Sequence, residues 1–163
     1  MEEDRLYEKA KQRAFRLLAM RARSEKEIRV KLKERGFDES AVRSAVARLR
    51  ELKYLDDKSF ARQWARNLAL NKLQGDRRIE ESLREKGIHR DVIKQVISEL
   101  RKEFSEEQAI RQFIRKKDLS NAGHSDGKEK RRLARNLMSR GFPPELIFDM
   151  LSSPREEFID EGE

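Results

Sequence analysis

The sequence predicts an all-α protein of three tandem three-helix repeats forming an elongated, modular body. Three observations carry that expectation: an internal repeat, a near absence of helix breakers, and helix-start signals in register with the repeat. Only 7 Gly and 3 Pro occur in 163 residues. Charge is high, at 43%, but the apolar residues are periodic rather than scattered, which argues against disorder.

The repeat is read position by position. Ile28, Leu32, Gly36, Phe37, Val42, Val46 and Leu49 recur 51 residues later as Ile79, Leu83, Gly87, Ile88, Ile93, Ile97 and Leu100. A further 54 residues on stand Leu133, Leu137, Gly141, Phe142, Ile147 and Leu151, and the series then ends because Pro154 takes the next place.

Each unit opens with a helix whose apolar face is Leu6, Ala10, Ala14, Leu17 and Leu18 in the first unit. Phe60, Ala61, Trp64, Ala65 and Leu68 serve in the second, and Ala109, Ile110, Phe113 and Ile114 in the third. Trp64 and Phe60 are expected in the core. Ile28 and Leu32, four apart, share one face of a middle helix. Gly36 falls where that helix ends, since Gly enters the left-handed C-terminal conformation cheaply, and Phe37 packs back after it. Val42, Val46, Leu49 and Leu52 then mark the third helix. Ser24 with Glu27, and Ser105 with Gln108, read as capping boxes. Asp76 suits an N-cap, and Pro143 or Pro144 the first turn of the last helix.

The expected divisions are 1–53, 54–104 and 105–153, one three-helix repeat each, followed by an acidic tail, 154–163, expected to be frayed or disordered. Units of about 50 residues are marginal alone and gain by stacking. The run KDLSNAGHSDGK, Lys117 to Lys128, is expected to be a mobile loop.

No stretch approaches the ~18 apolar residues of a membrane-spanning helix, and the charged N-terminus lacks signal-peptide character. The expectation is a cytoplasmic monomer. Zero Cys excludes disulfides, Cys-metal sites and thiol nucleophiles. His89 and His124 are the only histidines and are expected to be solvated. Asp56-Asp57 looks like a catalytic carboxylate pair, but it stands directly before a helix, where carboxylates cap free amides. Neither an enzyme nor a cofactor or metal site is expected.

Positive charge is spread over all three units: net +6 for 1–53, +3 for 54–104, +3 for 105–153, and −4 for the tail. Bases gather in each middle helix. Lys26, Arg29, Lys31, Lys33 and Arg35 do so in the first unit, and Arg77, Arg78, Arg84 and Lys86 in the second. The third is densest, with Lys128, Lys130, Arg131, Arg132 and Arg135. A stripe of this kind suits a polyanion. The bland alternative is a solvated surface with i,i+4 pairs such as Glu25–Arg29, Glu27–Lys31 and Glu80–Arg84. The few aromatics fall on periodic apolar positions, so a base-stacking platform is not expected.

Specific runs carry a family resemblance. Tyr54-Leu55-Asp56-Asp57-Lys58-Ser59-Phe60-Ala61 resembles the "GYLDD…FA" signature of the RecX family of recombination regulators, with Lys53 in place of the usual Gly. Gly75-Asp76-Arg77-Arg78-Ile79 through Leu83 and Lys86-Gly87-Ile88 resembles its "G..+I...L..KGI" segment. Leu17-Leu18 through Arg23-Ser24-Glu25-Lys26-Glu27 and Leu32 resembles "LL..R..SE.EL..KL". Arg35-Gly36-Phe37 and Arg140-Gly141-Phe142 extend the likeness. The resemblance implies a modulator that binds the RecA recombinase and its filament on single-stranded DNA. It further implies inhibition of ATPase, strand exchange and filament extension, in the setting of DNA recombination, repair and the SOS response. Single-stranded DNA is a second candidate partner, and no nucleotide or metal is implied. Candidate contact residues are Arg77, Arg78, Arg84 and Lys86, then Lys128, Lys130, Arg131, Arg132 and Arg135; Tyr54, Leu55, Asp56, Asp57 and Phe60 carry the signature and have an adequate structural role at the unit junction. The competing readings are a helix-turn-helix-like DNA-binding module without a recombinase partner, and a purely structural scaffold.

Overall fold

A computed structural model describes residues 1–120 and 127–152, and every described element is an α-helix or a turn. In order the helices are α1 (Glu2–Met20), α2 (Glu25–Glu34), α3 (Glu39–Glu51), α4 (Asp57–Leu70), α5 (Asp76–Glu85), α6 (Arg90–Glu103), α7 (Glu106–Ser120), α8 (Gly127–Ser139) and α9 (Pro144–Ser152). Periodicity and caps explain these bounds. The Ser24 hydroxyl accepts the Glu27 N–H while the Glu27 carboxylate accepts the Ser24 N–H, which closes the capping box at α2. Ser105 and Gln108 form the same pair at α7, with bonds of 2.8 and 3.1 Å. Gly36, Gly87 and Gly141 end α2, α5 and α8 with φ of 84°, 78° and 89°, the left-handed values that only Gly reaches without strain.

Two compact units share the chain. The first comprises Met1–Trp64 and Leu83–Val96. Its main core joins α1, α2 and α3 through Ala10, Ala14, Ile28, Leu32, Val42, Val46 and Leu49, all fully buried, with Leu55 closing it. The second comprises Ala65–Ser82 and the described residues from Ile97 onward. Here α7, α8 and α9 pack through Ala109, Ile110, Phe113, Leu137 and Ile147, with Ala69, Leu73 and Ile79 also buried.

Several expectations shift. Val96, at 2% exposure, is buried where the repeat pattern pointed to Ile97, which is partly exposed. Val96 stands at the repeat position of Ala45, and its larger side chain fills that place. Leu133 and Leu151 are also only partly buried. Trp64 is partly rather than fully buried: it stacks on Phe60 at 5.6 Å and lies under the Lys86 ammonium at 4.7 Å. Asp76 is the first residue of α5 rather than its cap. The expected loop from Lys117 is helical through Ser120, and α8 starts at Gly127; His124 and the acidic tail lie outside the described residues.

Candidate functional site

Carboxylates at helix starts build the junctions. Asp56 caps its own helix, accepting the N–H groups of Lys58 and Ser59 at 3.1 Å each. Asp57 instead reaches the first residue of α2, accepting the Glu25 N–H at 2.8 Å. The Glu25 carboxylate in turn takes Arg50 in a two-pronged pair, at 2.6 and 3.2 Å. The second unit repeats the device. Glu106 accepts the Asp76 N–H at 2.8 Å, and Asp76 takes Arg101 Nε at 2.6 Å. Arg101 also donates to the carbonyls of Gln74 and Phe104, at 3.1 Å each. Glu25, Arg50 and Asp57 thus have counterparts in Asp76, Arg101 and Glu106.

The electrostatics follow from burial. Burial raises the carboxyls of Asp57 and Glu106 above their ordinary values, against the pull of the backbone N–H each accepts. Glu27 goes the other way: burial opposes its charge, but hydrogen bonds from Arg21, Lys86 and the Ser24 N–H hold it at about 2.

The signature residues are placed by these contacts. Leu55 and Phe60 are buried at 3% and 5% exposure, while Tyr54 is 58% exposed with its ring edge-on to Phe15 at 4.9 Å. The basic candidates divide. Lys86 is committed to Glu27, at 2.8 Å, and to the Trp64 ring. In α2 the bases are drawn into pairs: Arg29 with Glu25 at 3.1 Å and Lys31 with Glu34 at 2.8 Å. The Glu27–Lys31 pair expected from spacing does not form, because Arg21 and Lys86 occupy Glu27. Arg84 is exposed on α5 in the first unit. Arg77 and Arg78, in the second, share Glu81 at 3.5 and 3.3 Å, and Arg77 stays 81% exposed. Lys130 and Arg131 are exposed on α8, Arg131 donating to the Gly127 carbonyl at 3.1 Å.

The remaining α8 bases, Lys128, Arg132 and Arg135, line one hollow with Lys117. Next to it in the same unit lies a larger hollow whose bases are Lys72, Arg78, Lys116, Lys117 and Arg140. Lys72, Lys116 and Arg140 are absent from the candidates read by charge density: Lys72 and Arg140 stand in no dense basic run, and Lys116, within Arg115-Lys116-Lys117, lies outside the middle helices to which that reading was confined. The signal that finds Arg140 is its repeat position, matching Lys86: Arg140 lies 4.6 Å over the Phe113 ring as Lys86 lies over Trp64. Arg50 and Arg101, the partners of Glu25 and Asp76, carry the same signal, standing 51 residues apart. Among the described residues no group of three or more acidic or His side chains is placed to hold a metal ion, and no helix is long and apolar enough to cross a membrane.

Comparison with known proteins agrees with this geometry. Models of the first, second and third RecX three-helix domains match residues 10–49, 56–97 and 105–151. The regulatory protein RecX of Mycolicibacterium smegmatis is 33% identical over 148 residues, spanning 89% of this chain and 79% of the relative. That of Clostridium botulinum is 31% identical over 156 residues, spanning 93% and 72%. The crystal structure of RecX from Lactobacillus salivarius superposes with a TM-score of 0.77 at 19% identity, covering 91% of this chain and 96% of that one, which shows a shared fold. With all three domain models in chain order and relatives of this identity along most of its length, the chain belongs to the RecX family of regulatory proteins.

Proposed function

We propose that this chain binds the RecA recombinase and its filament on single-stranded DNA, and inhibits ATP hydrolysis, strand exchange and filament extension. The observation that carries the reading is the match of relatives named as RecX regulatory proteins along about nine-tenths of the chain. Three three-helix modules supply several contact faces on one chain, and weak contacts carried by one chain reinforce each other through effective concentration. Its place is the bacterial cytoplasm, in DNA recombination and repair, acting as a monomer and a regulator rather than a catalyst. Arg77, Arg78, Arg84 and the α8 bases are the contact residues of this reading.

The test is the ATPase activity of RecA on single-stranded DNA, titrated with this protein from well below to above equimolar. Inhibition at substoichiometric ratios is expected, because a filament regulator acts on many subunits from few positions. Unchanged activity across the range overturns the reading. Tight, sequence-dependent duplex binding in that case would favour the DNA-binding module instead.

A further inference from the structure

The basic hollows of the second unit are followed in sequence by a run of opposite charge. The larger hollow, about 660 Å³, is bordered by the turn after α4, the start of α5 and the ends of α7 and α8. Lys117 and Asn136 also line the smaller hollow, about 390 Å³, so the two adjoin as one groove. Among the described residues no carboxylate lines the larger hollow and one, Glu129, lines the smaller. Asn71, Gln74, Asn136 and Ser139 add side chains able to donate. Such a lining is short of acceptors and suits carboxylates.

The chain itself supplies them. Residues 156–163 carry five acids, Glu156, Glu157, Asp160, Glu161 and Glu163, and no base. They lie outside the described residues and follow α9, which ends at Ser152. Helix α9 packs on α7 and α8, the two helices that contribute to both hollows. The eight residues from Ser153 to Asp160 span at most about 28 Å when fully extended. Helix α7, 15 residues long, measures about 22 Å, so the acids reach any point along the helix on which α9 sits. A tether this short sets an effective concentration on the order of millimolar, at which individually weak ion contacts suffice.

The groove is built before any ligand arrives. The Gly75 N–H donates to the Arg140 carbonyl at 2.8 Å, and the Arg140 guanidinium donates to the Lys72 carbonyl. A side chain on Gly75 would stand 2.5 Å from the Gly141 backbone, so the two turns touch through glycine alone. The apolar residues of the larger hollow, Leu73 and Phe113, are only 3% and 4% exposed, so what it offers is charge and hydrogen bonds. We propose that residues 156–163 dock in this groove and shield its bases until a recombinase filament displaces them. The shielding rests on the regulatory reading above, while the docking does not.

Amide NMR spectra of the full chain test the docking. Glu156→Gln with Glu157→Gln and Asp160→Asn removes three negative charges from the run. Glu2→Gln with Glu3→Gln and Asp4→Asn removes three from the exposed first turn of α1. The tail variant should shift the amides of Lys72, Lys116 and Arg140 relative to the parent, and the α1 variant should leave them in place. At about 0.5 M salt, where charges are screened beyond a few Å, parent and tail variant should coincide at those positions. Unmoved groove amides, or equal movement at Lys31 and Arg43 in the first unit, would overturn the docking. The ATPase of RecA on single-stranded DNA then tests the shielding. The tail variant should inhibit at a roughly three- to tenfold lower concentration than the parent, because a face open for only part of the time loses apparent affinity by that fraction. The α1 variant should stay within about twofold of the parent. Lys116 and Arg132 are exposed bases, one from each hollow, that form no ion pair among the described residues. In a Lys116→Glu, Arg132→Glu background the gain from neutralising the tail should vanish. Equal gains in the two charge-matched variants, or none in the tail variant, would overturn the shielding. Inhibition by none of these chains overturns the regulatory reading and the shielding with it, while the spectra still decide the docking.

Discussion

The carboxylate of Asp57, the first residue of α4, caps the backbone of Glu25, the first residue of α2, across 32 residues of sequence. Asp57→Ala therefore leaves an N-terminal amide of α2 without its acceptor. The expected loss is about 1–2 kcal/mol, seen as a lower urea midpoint. Asp57→Asn keeps an acceptor oxygen and should recover most of it. Glu106→Ala should cost a similar amount through Asp76, since the bond there is also 2.8 Å.

Acid should act on these carboxylates with opposite signs. Glu27 titrates at about 2 in the folded chain against an ordinary 4.5, so it contributes stability above the ordinary value that is lost as pH falls toward 2. Asp57 and Glu106 are raised, so their contribution is full at low pH and is lost as pH rises through the folded value. Between pH 5 and pH 3 the parent chain should lose stability through Glu27, and Glu27→Gln should flatten that slope. Urea midpoints of both proteins at the two pH values check it; parallel slopes would remove Glu27 as the cause.

Lys53 occupies the place of the signature glycine and holds φ 64°. It is exposed, so its side chain contributes no burial that a glycine would forfeit. Lys53→Gly should stabilise by roughly 1 kcal/mol, read as a higher melting temperature. Leu73→Gly relieves a similar strain, at φ 49°, but removes a side chain that is 3% exposed. There the lost burial, roughly 2–5 kcal/mol by analogy with large-to-small core changes, exceeds the relief and the variant should melt lower.

The repeat glycines should differ in tolerance. Gly36 has open space around an added Cβ, so Gly36→Ala meets only the penalty of its positive φ, about 1–2 kcal/mol. An added Cβ on Gly141 would lie 2.5 Å from the Arg78 amide nitrogen as well. Gly141→Ala should lose clearly more, the excess being overpacking of about 1–3 kcal/mol. Thermal unfolding of the two variants side by side measures that excess.

The helices were legible because their causes are local. Ile28 with Leu32, the Ser24 and Ser105 boxes and the left-handed glycines all act within a few residues, so spacing alone reveals them. The fate of the charges was not legible in this way. Lys86 and Arg77 look alike in a run of bases, yet one is bound to Glu27, 59 residues away, and the other stays 81% exposed. Spacing proposed Glu27–Lys31, and long-range partners replaced it.

The sequence by itself determined the number and order of the described helices, the capped and glycine-ended termini among them, and the family to which the chain belongs, because periodicity, caps and signature runs are written in contiguous residues; the end of α7 and the start of α8 were not fixed in this way. The tertiary structure alone decided which cations serve as struts and which line a groove. Glu25, Arg50 and Asp57, or Lys72, Lys116 and Arg140, become neighbours only when helices pack, and a charge's role depends on the partner that packing brings within about 3 Å.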